Sequence, residues 1–130
     1  MPKLAIANVA GKGRGVFARE RITKGSIVTS DPVVTIPKAV VDAAGLPFAA
    51  YPFAWNLTQH CVVLGVTSLA NHDGSDPNCH VSRNLRDKLL GLVAKRDIEA
   101  GEEITYDYKV PLWFKPEPPA KLGDVNGPTA

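Results

Sequence analysis

Gly101-Glu102-Glu103-Ile104-Thr105-Tyr106-Asp107-Tyr108 is the stretch on which the reading of this chain turns. In an extended segment successive side chains point to opposite faces, so Tyr106 and Tyr108 share one face and Thr105 and Asp107 the other. Two phenols on one surface fit an aromatic strand pair in a half-buried sheet. They also fit a narrow reaction site, because a phenol is neutral near pH 7, offers a hydrogen-bonding oxygen and carries an electron-rich ring. The strand alone leaves both readings open.

Two upstream stretches carry the argument further. Asn71-His72-Asp73-Gly74-Ser75-Asp76-Pro77-Asn78 is a polar run between apolar segments. Its carboxylates lack the spacing and closing Glu of a calcium loop, which leaves an Asx-turn loop or a segment presenting Asn71 and His72 to a purine edge. Gly11-Lys12-Gly13-Arg14-Gly15 lies between two strand candidates, where glycines permit positive φ and close backbone approach to a ligand. No helix pattern follows these glycines, so the dinucleotide fingerprint fails, and without Gly-Lys-Ser/Thr so does the phosphate-binding loop. Taken alone, the cluster reads as a plain turn rather than a ligand site.

Composition sets the outer limits. A length of 130 residues corresponds to one domain with a core of its own, and no apolar run is long enough to cross a bilayer. The N-terminus lacks the apolar stretch and cleavage site of a secretory signal, so the expectation is an intracellular, cytoplasmic protein, nuclear in a eukaryote. Cys61 and Cys79 are too few for a disulfide framework or a four-thiolate zinc site, and no metal is expected. The net charge of +2 is not gathered into a basic block, which argues against direct nucleic-acid binding. His60, His72 and His80 have no ligand spacing that points to a metal-dependent hydrolase.

Between these landmarks the chain reads as short strands punctuated by Gly and Pro: LAIANVA, GVFARERI, a turn at Thr23-Lys24-Gly25, then SIVTSDPVVTIP. Pro32 and Pro37 lack ladder donors, so this last segment is expected to break at Asp31-Pro32 or to lie at a sheet edge. Residues 38–58 predict one short helix followed by an irregular aromatic segment. QHCVVLGV predicts a strand, SLAN a single helical turn, and CHVSRNLRDKLLGLVAKRDI a hairpin turning near Asp87-Lys88.

In order and spacing, Gly13-Arg14-Gly15-Val16-Phe17-Ala18, Asn71-His72 with Asp76-Pro77-Asn78-Cys79, and Gly101 to Tyr108 together resemble the three motifs of SET-domain lysine methyltransferases. The resemblance runs from about Gly11 to Tyr108 and implies a mainly β fold. That fold is a β-clip of small curved sheets with one or two short helices, in which the Asn71-His72 segment and the tyrosine strand form a pseudoknot. Residues 1–110 are expected to form the domain and 111–130 a Pro-rich tail.

The resemblance also implies transfer of a methyl group from S-adenosylmethionine to a lysine of a histone, ribosomal or other protein. Lys12, Gly13, Arg14, Gly15, Asn71, His72 and Tyr108 correspond to cofactor-binding positions and Tyr108 to the catalytic tyrosine. Tyr106 falls at a switch position where tyrosine accompanies monomethyl transfer. The sequence departs from the family at Asp73, where Ser is usual, in a loop one residue longer than the common form, and in lacking the cysteine-rich segment after the domain. Trp113 and Phe114, with Leu112, are the expected closure of the lysine channel beside Tyr106. No membrane partner is expected, a homodimer is open, and the alternative function is a non-catalytic β-clip interaction module.

Overall fold

The computed structural model describes residues 1–11 and 13–107. The strands are β1 (Leu4–Val9), β2 (Gly13–Ala18), β3 (Ile27–Pro37), β4 (Phe53–Ala54), β5 (Gln59–Val63), β6 (Asn71–His72), β7 (Cys79–Asn84), β8 (Leu89–Ala94) and β9 (Thr105–Tyr106). One helix, α1 (Lys38–Ala44), and two 3₁₀ turns, Phe48–Ala50 and Val66–Leu69, complete the regular structure. They form a β1-β2 hairpin, a five-stranded sheet ordered β4-β5-β3-β8-β7, and a parallel β6-β9 pair.

The alternation in Leu4-Ala5-Ile6-Ala7-Asn8-Val9 buries Ala5, Ala7 and Val9, which pack with Phe17 in a small satellite cluster. Strand β2 is buried on both faces. Phe17 belongs to that cluster, while Val16 and Ala18 enter the main core with Ile22, Val28, Leu90, Leu92, Ile98 and Ile104. The glycine-rich stretch is divided between the hairpin turn and the start of β2, with Gly11 and Gly13 both at φ 77°.

Strand β3 neither breaks in two nor lies at an edge. It runs continuously from Ile27 to Pro37, and what changes at Pro32 is its partner. Residues Ile27 to Pro32 pair with β8, and Val33 to Pro37 pair with β5. The missing donor of Pro32 therefore falls at the changeover, while its carbonyl accepts from Leu64 N at 2.9 Å. The expected hairpin is present as β7-β8, closed by a four-residue loop between Asn84 and Leu89 with Lys88 at φ 54°. In residues 38–58 the helix ends before Gly45. The irregular segment contains the short strand β4, which the sequence did not suggest, and is closed at its base by Lys38 N donating to Thr58 O at 2.9 Å.

Candidate functional site

The two motif segments meet in the β6-β9 pair, where Asn71 lies opposite Thr105 and His72 opposite Tyr106. A parallel pair of two residues supplies few ladder bonds, and the side chain of Asn78 adds what the ladder lacks. Its Nδ2 donates to Glu103 O at 2.7 Å, and its Oδ1 accepts from Thr105 N at 2.9 Å. The carboxamide thus bonds the backbone on both sides of Ile104, as a neighbouring strand would. The Asn78 backbone N–H also donates to Thr105 Oγ1 at 3.2 Å. On the other edge of this segment, Ile104 N donates to Val16 O at 2.7 Å and Ala18 N to Glu102 O at 2.9 Å, so residues 101–106 are threaded between β2 and β6.

This threading buries both faces of the tyrosine strand, where the sequence suggested a half-buried one. Thr105 and Tyr106 are each 1% exposed. Thr105 is covered by Asn78, and the Tyr106 ring stacks on Phe53 of β4 with centroids 5.3 Å apart and planes at 25°. The aromatic segment after α1 therefore supplies one wall beside Tyr106. Phe53 was absent from the sequence-derived site because its contact depends on a residue more than fifty positions away.

Asn71 joins β6 to β2. Its Nδ2 donates to Arg14 O at 2.9 Å and to Glu103 Oε2 at 2.9 Å. With both amide hydrogens committed, the carboxamide orientation is set, and Oδ1 is the atom left for an outside donor; no hydrogen bond from the described residues reaches it. Gly15 makes this closeness possible. A Cβ there would lie 2.8 Å from Glu103 Oε2 and 3.1 Å from Asn71 Nδ2. Glu103, only 2% exposed, belongs to this junction and was not singled out from the sequence. Adjacent Glu102 is partly exposed and reaches Arg96 at 3.4 Å, and the one clue separating the two is that Glu103 alternates in phase with buried Thr105.

His72 Nδ1 lies 3.6 Å from Asp107 Oδ1, with the His72 side chain 8% exposed. At the position where the family resemblance leads one to expect Ser, Asp73 makes an Asx-turn. Its Oδ1 accepts from Ser75 N at 3.0 Å, Ser75 Oγ at 2.9 Å and Asp76 N at 3.2 Å. Burial pushes the Asp73 carboxyl up, but these hydrogen bonds and His72 outweigh it and hold the group below its ordinary range. The Asp73 backbone N–H donates to Tyr106 O at 3.0 Å, which continues the β6-β9 pairing by one bond whatever side chain stands here.

Of the residues proposed from sequence, Arg14, Gly15 and Asn71 come together directly, and β6-β9 pairing brings His72 beside Tyr106. Gly13 opens β2 one residue before Arg14 and is exposed. Lys12, Tyr108, Trp113 and Phe114 lie outside the described residues. Among the described residues there is no cluster of three His, Cys, Asp or Glu side chains able to hold a metal ion.

The Asn71 carboxamide, the Glu103 carboxylate and the β2 backbone thus gather acceptors on the Thr105 face of the β6-β9 pair, while Tyr106 stacks on Phe53 on the other face. Such a cluster of acceptors suits a ligand group that donates hydrogen bonds, such as an ammonium.

Comparison with known proteins gives this geometry a context. The SET domain family model matches residues 13–109. The Schizosaccharomyces pombe histone-lysine N-methyltransferase specific for H3 lysine-37 is 30% identical over 116 residues, covering 88% of this chain and 78% of that protein. A rice histone-lysine N-methyltransferase, CLF, is 41% identical over 68 residues, which is 46% of this chain but 8% of the rice protein. Among solved structures, a candidate histone methyltransferase of Plasmodium falciparum shares the fold with TM-score 0.67 at 24% identity, over 88% of this chain and 99% of that one. CpSET8 of Cryptosporidium also gives TM-score 0.67, at 26% identity, over 84% of this chain and 58% of its own. The family match spans β2 through β9 and so contains every element that meets at the Asn71-Glu103 junction; this chain belongs to the SET domain family.

Proposed function

We propose that this chain is a protein-lysine methyltransferase that uses S-adenosylmethionine as methyl donor. The observation that carries the reading is the junction at Asn71, where a carboxamide fixed by Arg14 O and Glu103 leaves Oδ1 beside the tyrosine strand. The residues fit the donor's chemistry. The methionyl α-ammonium requires acceptors, and Asn71 Oδ1 and the Glu103 carboxylate are of that kind. Backbone groups of Lys12, Gly13, Arg14 and Gly15 complete this side, and His72 serves the adenine end. The bound donor supplies an electrophilic methyl group on a sulfonium.

The chain's own task is to deliver a neutral lysine amine in line with that methyl and to keep water away. A free lysine has a pKa of about 10.4, so roughly one in a thousand is unprotonated at neutral pH. In this reading the Tyr106 ring, held by its stack on Phe53, walls the lysine channel and lowers that value by desolvating the ammonium, as does the positive charge of the donor. Tyr108 is assigned as the catalytic phenol facing the amine. The Tyr106 hydroxyl holds a water that limits transfer to one methyl group, and Leu112, Trp113 and Phe114 close the channel.

Because the relatives carry the names of histone-lysine methyltransferases, histone lysines are the first substrates to assay, with ribosomal proteins next. Titration calorimetry with S-adenosylmethionine tests the reading against a non-catalytic interaction module. Binding that is lost in Asn71→Ala, together with Tyr108→Phe that binds but does not turn over, is expected. A folded wild-type chain that binds no S-adenosylmethionine would overturn it.

A further inference from the structure

The turn that delivers Asn71 is strapped to β3 by a polar chain that runs from the buried Thr29 and Thr67 to the partly buried Asp31. Thr67, fully buried within the Val66–Leu69 turn, donates its backbone N–H to Asp31 Oδ2 at 2.9 Å. Its Oγ1 lies 2.7 Å from the same carboxylate oxygen and 2.6 Å from Thr29 Oγ1. An ionised carboxylate only accepts, so the single Thr67 hydroxyl proton goes to Asp31, and the Thr29 hydroxyl donates to Thr67 Oγ1. Thr29 Oγ1 in turn accepts from Leu92 N at 3.1 Å. Every proton in this chain has one direction, from β8 through β3 and the turn to Asp31.

The strap sits where β3 changes partner. Leu64 N donates to Pro32 O, and Gly65 passes so close to Asp31 that a Cβ would lie 2.3 Å from its carboxylate. Thr67 O then accepts from Ala70 N at 3.3 Å, closing the turn one residue before Asn71, and Ala70 is itself buried. Only Ser68, Leu69 and Ala70 separate Thr67 from Asn71, the turn is closed over them, and Asn71 is pinned on its far side to Arg14 and Glu103.

We infer that Asp31 and Thr67 are positioning residues for the cofactor subsite, holding the Val66–Leu69 turn against β3 so that the Asn71 carboxamide meets Arg14 and Glu103 in its bound orientation. The inference rests on the reading that Asn71 holds S-adenosylmethionine. Neither residue belongs to a motif of the sequence, and the Asn71 amide donates to Arg14 and Glu103 rather than to either of them.

Thr67→Val keeps the shape of the side chain and removes the hydroxyl, leaving the Asp31 and Thr29 oxygens without it. Calorimetry on the full chain is expected to show the S-adenosylmethionine dissociation constant raised about tenfold. Turnover at saturating donor should stay within about twofold, because chemistry proceeds normally once the donor is seated. Thr67→Ser is expected to restore affinity. Val41→Ala, which removes a buried side chain from α1, serves as a variant of lowered stability that leaves the dissociation constant unchanged.

Should Thr67→Val fail to fold, Asp31→Asn, which keeps an acceptor but removes the charge, is expected to weaken binding about threefold. Wild-type affinity in the folded Thr67→Val or Asp31→Asn chain, or equal weakening in Val41→Ala, would overturn the positioning role alone. Absence of binding by the wild-type chain would overturn the functional reading and this inference with it.

Discussion

Asn78→Ala is the substitution whose cost the structure fixes most narrowly. It removes a carboxamide that accepts from Thr105 N at 2.9 Å and donates to Glu103 O at 2.7 Å, both in the segment threaded between β2 and β6. Asn78 is 2% exposed and Thr105 1%, so both backbone groups lose their partner away from water. A buried group left unsatisfied costs about 1–3 kcal/mol, which gives roughly 2–6 kcal/mol for two. Water entering the space vacated by the side chain recovers part of this, leaving about 2–4 kcal/mol. Against a total stability of about 5–15 kcal/mol for a domain, that loss is large and leaves a folded population to measure.

The assay is urea unfolding of wild-type and variant chains, read as a shift in midpoint at constant m-value. The same loss should lower the melting temperature by roughly 8–16 °C, at about 4 °C per kcal/mol for a chain of this size. Asn78→Asp keeps an acceptor for Thr105 N but sets a carboxylate against Glu103 O, and is expected to cost at least as much as alanine. A shift below about 1 kcal/mol in Asn78→Ala would refute the view that this side chain substitutes for a missing strand.

Asp73 predicts an acid-side signature. Its folded-state pKa is depressed below the ordinary 3.8, so its ionised form adds stability that is present above that value and lost as pH falls through the folded pKa. The stability difference between wild type and Asp73→Asn, from urea unfolding, should be constant near neutral pH and shrink below about pH 4; a difference that grows on acidification would contradict it. Cys61 and Cys79 are both buried, with Cys79 pushed up to about 12 by burial, so a thiol reagent at pH 8 should modify neither until the chain is unfolded. Prompt labelling of the native protein would count against the core described. Gly15→Ala places a methyl 2.8 Å from Glu103 Oε2 and 3.0 Å from Val9 Cγ2, and is expected to weaken donor binding together with about 1–3 kcal/mol of stability. Unchanged affinity in that variant would separate the glycine from the Asn71 junction.

What was legible in the sequence was what local pattern controls. Apolar segments set off by Gly and Pro marked β1, a turn near Asp87-Lys88 marked the β7-β8 hairpin, and Gly45, Pro47 and Pro52 confined the α-helix to α1. The family was legible because three short motifs keep their order, and the family match and the fold of its relatives bear that out. Partner choice was not legible. Pro32 announces an interruption, but whether a strand stops or changes neighbour there depends on β5 and β8, which arrive later in the chain. The same holds for Asn78, whose carboxamide acts on residues 25 and 27 positions away, and for Phe53, whose partner Tyr106 is more distant still. Thr67 and Asp31 form no motif because a hydroxyl and a carboxylate acquire meaning only when folding places them 2.7 Å apart. The assignments to Lys12, Tyr108, Trp113 and Phe114 rest on the family pattern and stand as part of the proposed function.

The central claim is that the junction of β2, β6 and β9 serves methyl transfer to a protein lysine. The most direct measurement is mass spectrometry of histones and ribosomal proteins incubated with the pure chain and methyl-labelled S-adenosylmethionine. Label is expected on a lysine ε-amine, predominantly as a single methyl group, and none with Asn71→Ala or Tyr108→Phe. Label confined to other residue types, or lysine methylation undiminished in both variants, would contradict it.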